Sequence, residues 1–218
     1  MGGIVVNRIE QLVRQAKKPV ALTGAGISAP SGIPTFEGSY LGKPIRDYLS
    51  RDFFEAHPTD FFDLYCDMVD WCAKPVNQAH LALADWGLPI ITQNIDGLHH
   101  KAGGAGEKLE LHGTLRHVVC RKCGKTMPAD RFARAYRESG NMRCPCGARW
   151  DTDVVLYGDP VHAIDRAWQL AEKCDLMLVV GTSLTTYPAA ALPEVARAGG
   201  AQIIMANDDC IAQLTQEG

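Results

Sequence analysis

An open, parallel α/β sheet carrying a smaller inserted module is the fold class this sequence predicts, and three observations carry the prediction. Short apolar runs alternate with segments of helical apolar spacing. Several of those runs end in small or polar residues: Gly24-Ala25-Gly26, Gln93-Asn94-Ile95-Asp96 and Gly181-Thr182-Ser183. In open α/β sheets ligands bind beyond the carboxyl ends of the strands, where these residues fall. Finally, residues 116–152 gather cysteines and differ in composition from their flanks.

The elements follow in order. Residues 9–16 place Ile9, Leu12, Val13 and Ala16 at helical spacing, and Pro19-Val20-Ala21-Leu22-Thr23 reads as the first strand. Residues 30–50 are rich in Gly, Pro and Ser and read as a long loop. Residues 53–71 are helical and aromatic-rich, preceded by Ser50 and interrupted by Pro58. Residues 77–86 form another helix, which leads into the buried run Leu88-Pro89-Ile90-Ile91. Residues 109–112 are strand-like, residues 154–157 read as a strand and residues 163–173 as a helix. Leu176 to Val180 is a strand, residues 193–198 are helical, and residues 202–205 form a last strand ending at Asn207.

The chain has 218 residues, 46% of them hydrophobic, which is enough for a sizeable core. A net charge of −3 gives no electrostatic footprint for nucleic acid. The longest apolar runs are too short to span a bilayer, so no membrane partner is expected. The first residues lack the basic-then-apolar pattern of an export signal. Of eight cysteines, Cys66, Cys72, Cys174 and Cys210 are scattered, and the other four fall in close pairs. That usage points to a reducing, cytoplasmic setting.

Four constellations bear chemistry. Gly24-Ala25-Gly26-Ile27-Ser28-Ala29 fits G-x-G-x-x-G/A directly after a strand, where glycines let backbone approach a diphosphate. Two features depart from an ordinary dinucleotide site: residues 30–44 read as loop rather than helix, and no acid about 20 residues on is placed for a ribose. Cys120-x2-Cys123 and Cys144-x-Cys146 suit one tetrahedral zinc, and four thiolates leave no open position, so the ion is structural. His117 stands by as a substitute ligand. His112, before Gly113, is a candidate general base, whereas His99 and His100 read as helix-start or surface residues. Gln93, Asn94 and Asp96 suit hydroxyls and a carboxamide, and Thr182, Ser183 and Asn207 add hydrogen-bonding groups at neighbouring strand ends.

Taken in order from Val20 to Asn207, these motifs resemble the sirtuins, NAD-dependent protein deacylases. Gly24-Ala25-Gly26-Ile27-Ser28 and Ser31-Gly32-Ile33-Pro34 look like the family's NAD loop. Gln93-Asn94-Ile95-Asp96 and His112-Gly113 look like its catalytic signatures, and the cysteines fall where its zinc module lies. Val154-Val155-Leu156-Tyr157-Gly158-Asp159 resembles its substrate-pairing segment, which usually ends Phe-Gly-Glu. Gly181-Thr182-Ser183, Pro188-Ala189-Ala190 and Asn207 resemble its later NAD contacts.

The resemblance implies an enzyme that transfers an acyl group from lysine to ADP-ribose and releases nicotinamide. Its partners would be acyl-lysine proteins or peptides. Asp96 would hold the carboxamide, with Ile33 and Ile95 lining that pocket. Gln93 and Asn94 would position ribose and a water, His112 would act as general base, and Phe36 would shield the sugar. Gly24, Ala25, Gly26, Ser28, Gly181, Thr182, Ser183 and Asn207 would complete the NAD site. Val155, Tyr157 and Gly158 would meet the substrate by strand addition. The implied architecture is a Rossmann-like domain of residues 1–29, 78–115 and 153–218. A small module of residues 30–77 (helical) and 116–152 (zinc-bearing) would be inserted in it.

Departures from the family pattern set further expectations. Thr35-Phe36 is the form of one branch, but Glu37 stands where a basic residue is usual. That branch removes acidic acyl groups with Tyr-x-x-Arg; here Tyr65 is followed by Met68, so acetyl or longer apolar groups are expected over succinyl. Only eleven residues follow Asn207, where the family normally continues through a loop and a final helix; either the chain is truncated or its adenine edge is more open, and weaker NAD binding is expected. Two other readings stand beside the deacylase: an ADP-ribosyltransferase or NAD hydrolase on the same fold, and a degenerate, non-enzymatic binding protein.

Overall fold

The buried apolar runs become the strands of a single parallel sheet. The computed structural model describes residues 8–35, 39–207 and 210–215. Five strands contribute: β1 (Pro19–Thr23), β4 (Ile90–Thr92), β5 (Lys108–Glu110), β9 (Leu176–Val180) and β10 (Gln202–Ala206). Their order is β10-β9-β1-β4-β5, and every neighbouring pair is parallel. The order reverses between β1 and β9, so the crevice beyond their carboxyl ends is the topological switch point.

Alternation along the strands divides the core. Ala21, Ile90, Leu178 and Val180 face α1 (Arg8–Gln15), α5 (Gln78–Trp86) and α10 (Cys210–Thr215). Val20, Leu22, Ile91 and Val179 face α8 (Ile164–Lys173) and α9 (Leu192–Ala198). Each fully buried aliphatic side chain contributes about 1.5–3 kcal/mol against exposure, which is why strands covered on both faces read as unbroken apolar runs.

A third cluster lies apart from the sheet. It joins α2 (Ile45–Tyr48), α3 (Arg51–Ala56) and α4 (Pro58–Val69) to an antiparallel sheet of β6 (Gly113–Val119), β7 (Thr126–Pro128) and β8 (Asp151–Val154), with α7 (Ala129–Ser139) packed on it. Phe54, Phe61, Phe62 and Tyr65 pack edge-on and stacked, with ring centroids 4.8–6.1 Å apart. Besides four short 3-10 turns, the other elements among the described residues are a two-residue ladder of β2 (Ser39–Tyr40) with β3 (Lys43–Pro44), and α6 (Leu98–Ala102).

Several boundaries differ from the sequence reading. Residues 53–71 are two helices, because Pro58 cannot continue α3 and instead starts α4; Ser50 caps α3 by accepting from the Phe53 amide at 3.2 Å. The expected loop 30–50 contains the β2–β3 ladder and α2. The strand expected at 154–157 lies three residues earlier, at Asp151–Val154, because β6 pairs there. Residues 155 and 156 leave the strand without regular structure, and Tyr157 forms an isolated parallel bridge to Ser50. No helix among the described residues is long and apolar enough to cross a membrane.

Candidate active site

Gln93, Asn94 and Asp96 follow β4 directly, at the mouth of the switch-point crevice. The Asn94 amide hydrogen is held by Thr92 Oγ1 at 3.0 Å, and Asp96 Oδ1 accepts from the Leu98 amide at 2.8 Å, an Asx turn that opens α6. Both side chains are buried.

Ser28, itself fully buried, is the hub between them. Its hydroxyl donates to Asp96 Oδ2 at 2.7 Å and accepts from Asn94 Nδ2 at 3.0 Å; the Asn94 amide donates its other hydrogen to the Gly24 carbonyl at 3.1 Å. Both Asn94 donors are therefore committed, and the carboxylate has none. What Asn94 and Asp96 still offer a ligand is acceptor lone pairs, which suit hydroxyl and carboxamide hydrogens and repel phosphate. Ala25, Ile33, Ile95 and Trp71 supply apolar walls to the small pocket holding Ser28, Asn94 and Asp96. Burial pushes the Asp96 carboxyl up, and the Leu98 amide and Ser28 hydroxyl pull it back.

His112 follows β5. Its Nδ1 lies 3.0 Å from the Gln93 carbonyl, which only accepts, so Nδ1 carries the hydrogen and Nε2 the basic lone pair. Burial lowers its pKa, partly offset by that carbonyl, and keeps the ring neutral near pH 7. Gly113, at φ +74°, is required: a Cβ there would sit 1.9 Å from the Asp153 carbonyl. The His112 carbonyl accepts from the Val155 amide at 2.8 Å, which joins the base to the segment that follows β8.

The strand-end turns interlock. The Gly26 amide donates to the Gly181 carbonyl at 2.8 Å, and a Cβ on Gly26 would meet Gly181 Cα at 2.8 Å. The close approach these glycines permit in the chain itself is thus between the β1 and β9 turns. Thr182 is held from two sides: its hydroxyl accepts from Gln93 Nε2 at 2.8 Å, and its backbone exchanges bonds with Asn207 at 3.0 and 3.1 Å. Ser183 is exposed beside them, its hydroxyl 3.0 Å from that of Thr185.

The Sir2 family model matches residues 24–188. The chain belongs to the Sir2 family. The Caldivirga maquilingensis NAD-dependent protein deacetylase is 41% identical, covering 90% of this chain and 80% of that relative. The Sulfolobus acidocaldarius NAD-dependent protein deacetylase is 37% identical over 93% of this chain and 84% of its own length. Among solved structures, a Sir2 complex with p53 peptide and NAD+ superposes with a TM-score of 0.80 at 32% identity, covering 90% of this chain and 84% of that one. A Sir2 protein bound to a propionylated peptide gives 0.81 at 32% identity, covering 91% and 84%.

In this Sir2 chain the thiol sulfurs of Cys120, Cys123, Cys144 and Cys146 all lie within 4.8 Å of one another. The Cys120–Cys146 and Cys123–Cys144 separations are 3.5 and 3.7 Å, close to the roughly 3.8 Å edge of a tetrahedron with zinc–sulfur bonds of about 2.3 Å. The four residues fit one closed zinc site. His117 is not needed there: its Nε2 lies 2.9 Å from Asp153 Oδ2.

Other expected residues are placed as follows. Tyr65 and Met68 are buried in the aromatic cluster, with the Tyr65 hydroxyl donating to the His117 carbonyl at 3.4 Å. Tyr157 and Gly158 are exposed and Val155 is half-buried. Phe36 and Glu37 lie outside the described residues.

His99 does lie at a helix start, in the first turn of α6, but it is buried rather than at the surface. Its Nε2 lies 2.9 Å from Thr23 Oγ1, and its ring centroid is 4.9 Å from that of buried His80, because α6 packs on α5. Sequence reasoning also missed Trp71 in the pocket wall, and the bracing role of Asn77, which it placed only as the first residue of a helix. That side chain caps α5 by accepting from the Ala79 amide at 3.0 Å while donating to the Ile27 carbonyl and Ser31 Oγ at 2.8 and 2.9 Å. Its position before a helical run was the available signal.

Proposed function

We propose that this chain is an NAD-dependent protein-lysine deacylase that moves the acyl group to ADP-ribose and releases nicotinamide. The observation that carries it is the pairing of a neutral His112, its Nε2 free to take a proton, with a buried acceptor cluster at the neighbouring strand end. NAD, when bound, supplies an electrophilic ribose carbon, a leaving nicotinamide and the hydroxyl that finally carries the acyl group.

The chain's own residues divide the work. Asp96 accepts the carboxamide hydrogens between Ile33 and Ile95. Asn94 Oδ1 accepts from a ribose hydroxyl or a water, Gln93 assists it, and His112 Nε2 takes the proton of the reacting hydroxyl. Gly24, Ala25, Gly26, Gly181, Thr182, Ser183 and Asn207 line the dinucleotide side, and Phe36 shields the sugar. Val155 and Gly158 pair with the substrate backbone, Tyr157, whose amide and carbonyl are committed to Leu49 and Arg51, meets the substrate through its exposed side chain, and Tyr65 and Met68 bound an apolar acyl pocket. Residues 1–29, 78–115 and 153–218 form the nucleotide domain, residues 30–77 and 116–152 form the small module, and the cleft between them is the reaction site. The proposed setting is the cytoplasm, a reading supported by cysteines arranged for zinc rather than disulfides.

The test is mass spectrometry of an acetyl-lysine peptide with and without NAD, beside His112→Ala. NAD-dependent deacetylation with an acetyl-ADP-ribose product, lost in the variant, is the expected result. Nicotinamide release without deacetylation would instead favour a hydrolase or transferase, and no turnover would leave a binding protein.

A further inference from the structure

Between the zinc-bearing sheet and the first helices, the chain builds an ion-pair clamp that the reaction scheme above does not use. Arg51 opens α3. Its Nε and Nη2 donate to Asp159 Oδ1 and Oδ2 at 2.9 and 2.7 Å, a bidentate fork, while Nη1 donates to both Asp151 oxygens at 3.1 Å. The three side chains are 24%, 19% and 13% exposed, so these contacts are poorly screened by solvent. Glu55, one turn along α3, lies 3.7 Å from Nη1 and is more open.

The backbone repeats the connection. The Arg51 amide donates to the Tyr157 carbonyl at 2.9 Å, and the Tyr157 amide to the Leu49 carbonyl at 2.8 Å. Asp159 also closes its own turn: Oδ2 accepts from the Leu156 amide at 3.1 Å, and its amide donates to the Leu156 carbonyl at 2.9 Å. Asp151 begins β8 and Asp159 follows the Gly158 turn, so the Arg51 guanidinium holds both ends of the segment containing Val155, Tyr157 and Gly158, with Arg121 Nε also 3.4 Å from Asp151 Oδ2.

We infer that Arg51 is the positioning residue for the substrate-pairing segment, setting the register in which an acyl-lysine peptide adds as a strand. This rests on the deacylase reading for its consequence, though not for the clamp itself. A planar fork is required to bridge two carboxylates, so lysine does not substitute fully. Among the described residues Arg51's side-chain ion pairs go to Asp151, Asp159 and Glu55 and not to the Ser28–Asn94–Asp96 cluster or His112, so its loss should weaken peptide capture and spare the chemical step.

The experiment compares wild type, Arg51→Met, Arg51→Lys and Asp159→Asn, with Arg166→Met as the exposed ion-pair control. Two readouts are taken: steady-state kinetics with an acetyl-lysine peptide, and hydrogen exchange of the fragments covering residues 154–159 and 176–180. Arg51→Met should raise the peptide KM about tenfold or more with kcat within about threefold. Exchange should speed up at 154–159 and stay unchanged in β9. Arg51→Lys and Asp159→Asn should fall between, and the control should match wild type. A kcat loss at constant KM, or unchanged exchange at 154–159 in Arg51→Met, would overturn the inference. A wild type without deacylase activity would sink the activity reading alone, and the exchange comparison would still decide the clamp.

Discussion

Lowering the pH from 7 to 5 should destabilise this fold chiefly through two buried imidazoles. His80 on α5 and His99 on α6 are 0% and 3% exposed, and neither Nδ1 has a hydrogen-bond partner among the described residues. Burial pushes His80 down to about 4; burial, and then repulsion from His80, pushes His99 down to about 3. In the unfolded chain both titrate near 6.5. Because the folded values lie below the unfolded ones, the unfolded chain binds more protons in that window. Stability is therefore intact above 6.5 and is lost as pH falls. At pH 5 the 1.5-unit interval at about 1.4 kcal/mol per unit costs about 2 kcal/mol for each ring, or about 4 kcal/mol for the pair. His100 and His112, also held low by burial, add to the loss. Asp96 and Glu110, held high by burial, oppose it, since their protonation relieves a desolvated charge. Urea midpoints of wild type and of His80→Asn/His99→Asn at pH 7, 6 and 5 isolate the pair by subtraction. Wild type should lose about 4 kcal/mol more than the variant between pH 7 and 5. An equal loss in both proteins would refute the assignment to these rings.

Three further outcomes are expected. Ser28→Ala removes a bond to a buried carboxylate and leaves Asn94 Nδ2 short of an acceptor. It should cost about 2 kcal/mol, lowering Tm by about 4–8 °C; a shift under about 1 °C would contradict the hub role. The protein should purify with about one zinc per chain, and Cys144→Ser should lose the metal and raise hydrogen exchange in residues 116–152 while the parallel sheet stays protected. A zinc-free wild type with that region ordered would count against the site. Because the base must be neutral and His112 is held below its ordinary value, the acid limb of kcat/KM should fall below pH 6.5; a limb above pH 7 would exclude His112 as the base.

The legible parts of the fold share one physical cause. Val20 to Leu22, Ile90, Ile91 and Leu176 to Val180 are buried from both sides, and only an unbroken apolar run satisfies two helical layers at once. Ser50 and Asn77 announce helix starts because their short side chains satisfy amides that helices leave unpaired. The spacing of the four cysteines is legible because a tetrahedral ion demands short knuckles. Helix α7 carried a signal that the cysteines overshadowed: Ala129, Phe132, Ala133 and Tyr136 recur at helical spacing and are all buried.

What the chain spells out by itself is therefore the strand ends, with Gln93, Asn94, Asp96 and His112 set on them, and the metal-type cysteines. The tertiary structure alone decided who faces whom. It buried His99 against His80, and it spent Gly26 on contact with Gly181. It shifted β8 away from the most apolar run, and it brought Arg51 to Asp151 and Asp159, 100 and 108 residues away in the chain. Hydrophobic period and cap chemistry are local and can be read from neighbours. Burial of a polar side chain, and the partner that satisfies it, depend on which distant element packs over it, and no local pattern encodes that choice.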